Sequence, residues 1–271
     1  MRSGLNKLCV ALPTLAAMVC ADCARPVRAA EQGVVRVAAA ADLRFTMGEV
    51  VEAFRRKRAD VDVLVTYGSS GNFYAQLSNR APFDIFFSAD LEYPRRLIRQ
   101  GLALADSEFL YGVGRLVVWV PRTSPIEIEK LGMQALLGPS VRRIAIANPR
   151  HAPYGRAAEA AMKNLGVYDR VRDRLVLGDT VIQAAQFVES GAAEVAIISH
   201  SLALAPPLRD KGRFWEVPLD AYPRREQGGV ILSWAQDRAA AEAFRDFVLS
   251  EGGRAILRRH GFRLRENDHG F

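Results

Sequence analysis

The chain has 271 residues, of which 49% are hydrophobic and 25% are charged, a composition that excludes a disordered protein and allows two compact domains. Its formal net charge is +7. The basic residues are spread as short groups at the ends or solvent faces of predicted helices, without interleaved aromatic residues, which argues against nucleic-acid binding.

The first 29 residues have the pattern of a secretory signal peptide. Arg2 and Lys7 come before an apolar run, 8–21, that is too short to span a bilayer, and 27–29 (VRA) fits a small-residue cleavage site. We therefore predict an exported protein whose mature chain starts near Ala30. All 3 cysteines lie in the removed segment, so the mature chain is predicted to have no thiol or disulfide chemistry.

After residue 30, short apolar strands alternate with helical stretches, a pattern typical of mostly parallel sheets with helices on their faces. The sequence predicts strands at 34–40, 61–67 and 83–87 and helices at 42–57, 72–80 and 91–100. The next apolar run, 110–120, is interrupted by Gly112 and Gly114 and is long enough to pass from one lobe of a protein to another.

The alternation of strands and helices then restarts. The sequence predicts strands at 144–147, 174–177, 195–199, 214–217 and 229–233, and helices at 181–189, at 239–259 and from 154 onward. Two similar units joined by extended hinge segments predict a two-lobed α/β fold, in which each lobe is a mostly parallel sheet flanked by helices. We assign residues 30–112 and 221–271 to lobe I and residues 113–220 to lobe II.

Four strand-to-helix junctions carry small or short polar residues. They lie at 41–42, 69–71, 153–155 and 179–181, two in each predicted lobe. Ligands of open α/β sheets bind at the carboxyl ends of strands, and the unpaired N–H groups of helix N-termini there suit an oxyanion. Ser, Thr or Asp at one helix start is usually a plain N-cap, but the four junctions together predict a shared anion site.

The sequence lacks the motifs of common enzymes. Segment 68–71 (GSSG) is one residue short of the G-x-S-x-G nucleophile elbow, and no zinc-hydrolase, P-loop or dinucleotide-binding motif is present. Among the 4 histidines, His151 is the best functional candidate because it lies beside the junction at 153–155. We predict a binding protein that is not an enzyme, and a secreted serine hydrolase using Ser70 and His151 is the alternative from a different class.

Five segments, taken in order, resemble the periplasmic molybdate-binding proteins of ABC transporters. They are 35–43 (VRVAAAADL), 67–77 (YGSSGNFYAQL), 81–90 (APFDIFFSAD), 144–158 (IAIANPRHAPYGRAA) and 253–262 (GRAILRRHGF). The resemblance covers essentially the whole predicted mature chain. It implies a type II periplasmic-binding-protein fold, a monomer that closes on molybdate or tungstate and delivers it to an inner-membrane ABC permease without catalysis.

The resemblance also implies an oxoanion site made of neutral hydrogen-bond donors. Ala41 and Asp42 match the first strand-to-helix turn of the family. Ser70 matches a serine whose hydroxyl and N–H contact the anion, while Tyr154 and Val181 match positions that donate main-chain N–H groups. Molybdenum is then held only as its oxoanion, through Ser70, Tyr154 and Val181, and no cofactor is implied.

Two positions depart from the family pattern. Many members have Ser or Asn where this chain has Asp42, whose carboxylate would repel a dianion within reach. We expect the Asp42 side chain to turn away and cap its helix, and the alternative is a same-fold receptor for a different small anion or solute. Ser199 stands near the position where some members use a tyrosine hydroxyl to complete the anion shell. We keep Ser199, and the neighbouring Ser69 of the serine pair, as additional candidate contacts.

Overall fold

The computed structural model describes residues 32–264 of the chain. The predicted signal peptide and its cysteines lie outside the described residues. In chain order the strands are β1 Gly33–Ala40, β2 Val61–Gly68, β3 Ile85–Ser88, β4 Phe109–Val113, β5 Leu116–Pro121, β6 Ile144–Ala147, β7 Leu175–Gly178, β8 Val195–Ser199, β9 Gly212–Glu216 and β10 Glu226–Ile231.

The helices are α1 Arg44–Arg55, α2 Ser70–Ser78, α3 Glu92–Arg99, α4 Ile128–Leu131, α5 Pro153–Asn164, α6 Tyr168–Val171, α7 Val181–Glu189, α8 His200–Ala203, α9 Pro206–Arg209, α10 Arg238–Leu249 and α11 Glu251–Arg259. Short 3-10 turns occur at Ala41–Leu43, Gly132–Leu137, Arg172–Arg174 and Leu219–Ala221. Within the described part of the chain, no helix is both long and apolar enough to cross a membrane.

The strands form two five-stranded sheets of mixed direction. The order is β2-β1-β3-β10-β4 in the first sheet and β7-β6-β8-β5-β9 in the second. In each sheet three neighbouring strands run parallel, while β10 in the first and β5 in the second pair antiparallel with both neighbours. We call each sheet with its covering helices a lobe, and the prediction of a two-lobed α/β fold is confirmed.

The chain passes between the lobes inside the apolar run at 110–120. β4 belongs to the first sheet and β5 to the second, and Gly114 and Arg115 form the link between them. A Cβ atom at position 114 would collide with the side chains of Tyr154 and Gln227, so glycine is required where these side chains pass the link. The chain returns to the first sheet between β9 and β10.

Buried aromatic side chains hold the helices on the first sheet. On one face, the ring centroid of Phe244 in α10 lies 5.2 Å from that of Phe54 in α1 and 5.9 Å from that of Phe87 in β3. On the other face, Phe73 of α2 packs against Phe86 of β3. The adjacent residues Phe86 and Phe87 therefore contact opposite helix layers, as the alternation of side chains along a strand requires.

Two predicted boundaries differ from the structure for local reasons. α2 begins at Ser70, earlier than the predicted residue 72, because the Ser69 side chain caps the helix by accepting the Asn72 N–H. The predicted last helix, 239–259, is two helices, since the backbone of Ser250 is extended and its side chain caps α11. In both cases a serine that favours capping decides where the helix begins.

The cluster of Phe54, Phe87 and Phe244 generates a stability prediction. Phe244→Ala removes a ring that is 0% exposed, so the free energy of unfolding should fall by about 3–5 kcal/mol. Leu64→Ala, at a residue that is 49% exposed, is the control and should change this energy by less than about 0.5 kcal/mol. Urea unfolding followed by circular dichroism measures both variants, and equal losses would contradict the packing described.

Candidate functional site

A small cavity of about 20 Å³ lies between the two lobes, at the carboxyl ends of their parallel strands. Its wall consists of Ala40, Ala41, Asp42, Gly68, Ser69, Ser70, Ala89, Ala152, Pro153, Tyr154, Thr180 and Val181. Residues predicted from the sequence are therefore brought together here: Ala41, Asp42, Ser69, Ser70, Tyr154 and Val181. Ser199, the remaining candidate, is not part of this wall.

In each lobe, the pairing of parallel strands places the ends of two neighbouring strands, and the strand-to-helix junctions that follow them, side by side. In the first sheet, Ala40 at the end of β1 pairs in parallel with Gly68 at the end of β2. In the second sheet, Ala147 of β6 pairs in parallel with Gly178 of β7. Helices begin shortly after these strand ends, and the first N–H groups of a helix have no partner inside it. The two lobes therefore present main-chain donors at the same cavity.

The adjacent residues Ser69 and Ser70 have different hydrogen bonds. The Ser69 hydroxyl is the N-cap of α2. The Ser70 hydroxyl oxygen accepts the Ala89 N–H at 3.0 Å, and Ser70 itself is buried. Among residues 32–264 the Ser70 hydroxyl donates no hydrogen bond, so its proton is available for an acceptor in the cavity.

The start of α5 is built to bring one N–H group close to the cavity. Pro153 is the first helical residue and has no N–H, so the first donor of the helix is the Tyr154 N–H. A Cβ atom on Gly155 would collide with the carbonyl group of Ala147, so only glycine allows α5 to begin so close to β6. The sequence Pro-Tyr-Gly therefore sets the position of a main-chain donor.

The start of α7 supplies the second donor of this lobe. Thr180 caps the helix by accepting the Gln183 N–H at 3.2 Å, and Val181 is the first helical residue. Ser199 is a cap of the same kind, but it caps α8 by accepting the Leu202 N–H. Its hydroxyl is therefore used away from the cavity wall.

Asp42 does not cap a helix, so this part of the sequence interpretation is wrong. It lies inside the 3-10 turn Ala41–Leu43, and no side chain caps that turn. The carboxylate is buried, and its Oδ2 accepts a hydrogen bond from Gln227 Nε2 at 3.0 Å. Its Oδ1 has no hydrogen-bond partner among residues 32–264. The Asp42 carboxylate, which the sequence analysis predicted to cap a helix, instead accepts a hydrogen bond from the buried amide of Gln227.

Asp42 belongs to a buried polar group at the link between the lobes, which we call the link cluster: Asp42, Tyr154, Arg225 and Gln227. Gln227 Nε2 also donates to the Tyr154 hydroxyl at 2.8 Å, and the Arg225 guanidinium lies 5.4 Å from the centre of the Tyr154 ring. Burial raises the pKa of Asp42 from 3.8 to about 6, although the hydrogen bond from Gln227, the nearby Tyr154 hydroxyl and the charge of Arg225 oppose the increase.

Sequence reasoning missed Gln227 and Arg225 entirely. Their only signal is that polar side chains stand at and just before the start of β10, which otherwise becomes an apolar strand. Polar residues are common at strand ends, so their presence there does not indicate which residue they bind. The partner of Gln227, Asp42, is 185 residues away in the sequence.

Hydrogen bonds join the lobes around the cavity. The Gly71 N–H donates to the His151 carbonyl at 2.9 Å, and the Ser69 hydroxyl lies 2.9 Å from His151 Nδ1. A charged pair, Arg156 with Asp90 at 2.7 Å, adds a further contact between the lobes. The structure therefore has its interlobe cleft closed.

His151 contacts Ser69 and not the Ser70 that the hydrolase hypothesis pairs with it. The hydroxyl of Ser70 instead accepts the Ala89 N–H, and the described hydrogen bonds contain no Ser70–His151 pair. Asp179 lies 3.8 Å from His151 Nε2, but its side chain is 80% exposed. Within residues 32–264, no group of three or more His, Cys, Asp or Glu side chains is arranged to hold a metal ion.

The comparisons with known proteins match almost the whole described chain. A family model described as bacterial extracellular solute-binding protein matches residues 35–263. The chain is 35% identical over 233 residues to the molybdate-binding protein ModA of Rhodobacter capsulatus, and the match covers 86% of this chain and 89% of that protein.

Solved structures share the fold. The periplasmic molybdate-binding protein of Azotobacter vinelandii matches with a TM-score of 0.79 at 31% identity, covering 85% of this chain and 99% of that one. The sulfate-binding protein SubI of Mycobacterium tuberculosis matches with a TM-score of 0.72 at 17% identity, covering 87% of this chain and 88% of that one. The second likeness shows the fold alone.

The raised pKa of Asp42 generates a pH prediction. Between pH 3.8 and about 6, the native carboxyl keeps a proton that the unfolded chain has lost, so this group makes the free energy of unfolding fall as the pH rises. Asp42→Asn removes this titration. The stability of the variant relative to the wild type should therefore increase across this window, by up to about 3 kcal/mol.

Urea unfolding of both proteins at about pH 4 and about pH 8 measures this change. Asp173→Asn is the matched control, because the Asp173 side chain is 94% exposed, and its stability relative to the wild type should vary little with pH. A relative stability of Asp42→Asn that is flat, or that decreases, as the pH rises would contradict the raised pKa.

Proposed function

We propose that this chain, which belongs to the family of bacterial extracellular solute-binding proteins and within it to the molybdate-binding proteins, captures a molybdate or tungstate dianion between its lobes. The observation that carries the proposal is the small cavity whose wall combines helix starts from both lobes with the Ser70 hydroxyl. The loaded protein then delivers its anion to an inner-membrane ABC permease. It acts in the periplasm as a monomer, without a cofactor and without catalysis.

The proposed anion shell consists of neutral donors. They are the Ser70 hydroxyl and the main-chain N–H groups of Ala41, Asp42, Tyr154 and Val181. Burying a dianion is costly unless hydrogen bonds reach its oxygens, and N–H···O⁻ bonds to a charged acceptor are roughly twice as strong as neutral ones. The positive ends of the helix dipoles add to this stabilisation. No cationic side chain is needed at the cavity wall.

The size of the cavity supports an inorganic anion. Pockets for organic ligands usually have roughly 300–1,000 Å³, whereas this cavity has about 20 Å³. A shell of donors also suits an oxoanion that has lost all its protons, because hydrogen phosphate needs an acceptor as well. The first point favours molybdate or tungstate over an organic solute, and the second favours them over hydrogen phosphate.

The buried carboxylate of Asp42 is compatible with a dianion close by. Its side chain is engaged with Gln227, and the charge of Arg225 acts on it favourably. Asp42 contributes to the proposed site through its main chain. The two lobes that close on the anion meet at Gly114 and Arg115, so Val113 belongs to the first lobe and not to the second, where the sequence analysis places it.

Isothermal titration calorimetry of the purified protein tests the proposed function. Molybdate and tungstate should each bind with one anion per chain, while sulfate and phosphate should give no saturable heat at the same concentrations. Equal binding of sulfate would replace the proposal with a general oxoanion receptor. No binding of molybdate or tungstate would overturn it.

Replacement of Ser70 tests the anion shell. Ser70→Ala removes a donor to a charged acceptor, so the binding free energy for molybdate should weaken by about 1.5–3 kcal/mol. Ser78→Ala is the matched control, because Ser78 lies at the other end of α2 and its hydroxyl donates to the Tyr74 carbonyl. The control should bind as the wild type does. Unchanged affinity in Ser70→Ala would remove Ser70 from the site.

A further inference from the structure

A second cavity, of about 200 Å³, lies beside the link where the chain passes from β4 to β5. We call it the link cavity. It is lined by Val113, Gly114, Leu219, Tyr222, Arg224, Arg225 and Arg263. The wall of the proposed oxoanion site contains none of these residues, so the two cavities are separate.

The wall of the link cavity contains arginines but no acidic residue. Within residues 32–264, neither Arg225 nor Arg263 forms an ion pair with a carboxylate. Arg225 is only 8% exposed, and its Nε has no hydrogen-bond acceptor in that part of the chain. Burial accordingly lowers the pKa of the Arg225 guanidinium. Asp42 and Asp90 act favourably on the Arg225 charge but form no direct ion pair with it, so its burial remains costly and a bound anion would offset this cost.

The absence of acids distinguishes the link cavity from its larger neighbour. A cavity of about 500 Å³ also has Arg225 in its wall, but there the arginines are accompanied by Asp90, Glu92 and Glu226. In that larger cavity, Asp90 already pairs with Arg156 at 2.7 Å. Arg225 and Arg263, which form no ion pair within residues 32–264, both line the link cavity.

The rest of the wall of the link cavity is largely apolar. Val113 and Tyr222 are buried, and Leu219 lies in the 3-10 turn Leu219–Ala221. The Tyr222 hydroxyl oxygen accepts the Leu116 N–H at 3.1 Å, and its proton remains available for donation. An apolar cavity of about 150 Å³ is large enough for benzene. The link cavity, at about 200 Å³, is large enough for one such ring with a small charged group.

We propose that the link cavity binds a small organic carboxylate with one apolar ring. The carboxylate pairs with the guanidinium groups of Arg225 and Arg263, whose planar donors suit the two oxygens of a carboxylate. The ring packs against Leu219 and Tyr222. This site is independent of the oxoanion site, because the two cavities have different walls.

Titration of the purified protein with benzoate at constant ionic strength tests this site. One benzoate should bind per chain, and the binding should persist in saturating molybdate. Arg263→Gln removes one of the paired guanidinium groups and should weaken benzoate binding about tenfold or more. Arg263→Lys keeps the charge but not the planar donors and should give an intermediate affinity.

Arg55→Gln is the matched control, because Arg55 pairs with Asp62 on the surface and its side chain is 47% exposed. It should bind benzoate as the wild type does. Molybdate affinity and melting temperature should be unchanged in Arg263→Gln, which shows that the variant is folded. If molybdate does not bind but benzoate does, the proposed function fails and the link site stands.

The link site would be overturned by the absence of saturable benzoate binding, by equal benzoate affinity in Arg263→Gln and the wild type, or by displacement of benzoate by molybdate in direct competition. Equal binding of chloride or sulfate would also overturn it, because the apolar part of the wall would then contribute nothing.

Discussion

A dianion enclosed between two lobes needs hydrogen-bond donors around all its oxygens, because an uncompensated charge in a protein interior is very costly. In the proposed site, main-chain groups around the small cavity meet this requirement. Parallel strands end at matched positions, helices begin close to those ends, and serine and threonine caps fix where α2 and α7 start. Pro153 and Gly155 add the close approach of α5 to β6. The fold thus places neutral donors from both lobes at one point.

The link cluster connects this site to the passage between the lobes. Asp42 and Gln227 come from the first sheet and its following turn, while Tyr154 comes from the second lobe, so opening the cleft would separate them. Asp42 Oδ1 and Gln227 Oε1 are buried without hydrogen-bond partners among the described residues. These two buried oxygens are a cost in the closed structure described. Gly114 makes the arrangement possible, because any side chain there would collide with the cluster.

The sequence predicts those parts of the structure that depend on local chemistry. Strand and helix alternation, the passage between lobes at 110–120 and the junction residues that now line one cavity all follow from short-range patterns. The errors concern long-range partners. Asp42 has the side chain of a good cap, but its actual partner, Gln227, is 185 residues away. His151 contacts Ser69, 82 residues away, and not the neighbouring Ser70, because the exact start of α2 decides which serine faces it.

The most direct test of the central claim is a crystal structure of the protein grown with tungstate, measured at a wavelength where tungsten scatters anomalously. A single anomalous peak per chain is expected in the cavity bounded by Ala41, Asp42, Ser70, Tyr154 and Val181, with the anion oxygens at hydrogen-bond distance from their donors. A peak outside this cavity, or none at saturating tungstate, would contradict the claim that neutral donors of both lobes hold the anion.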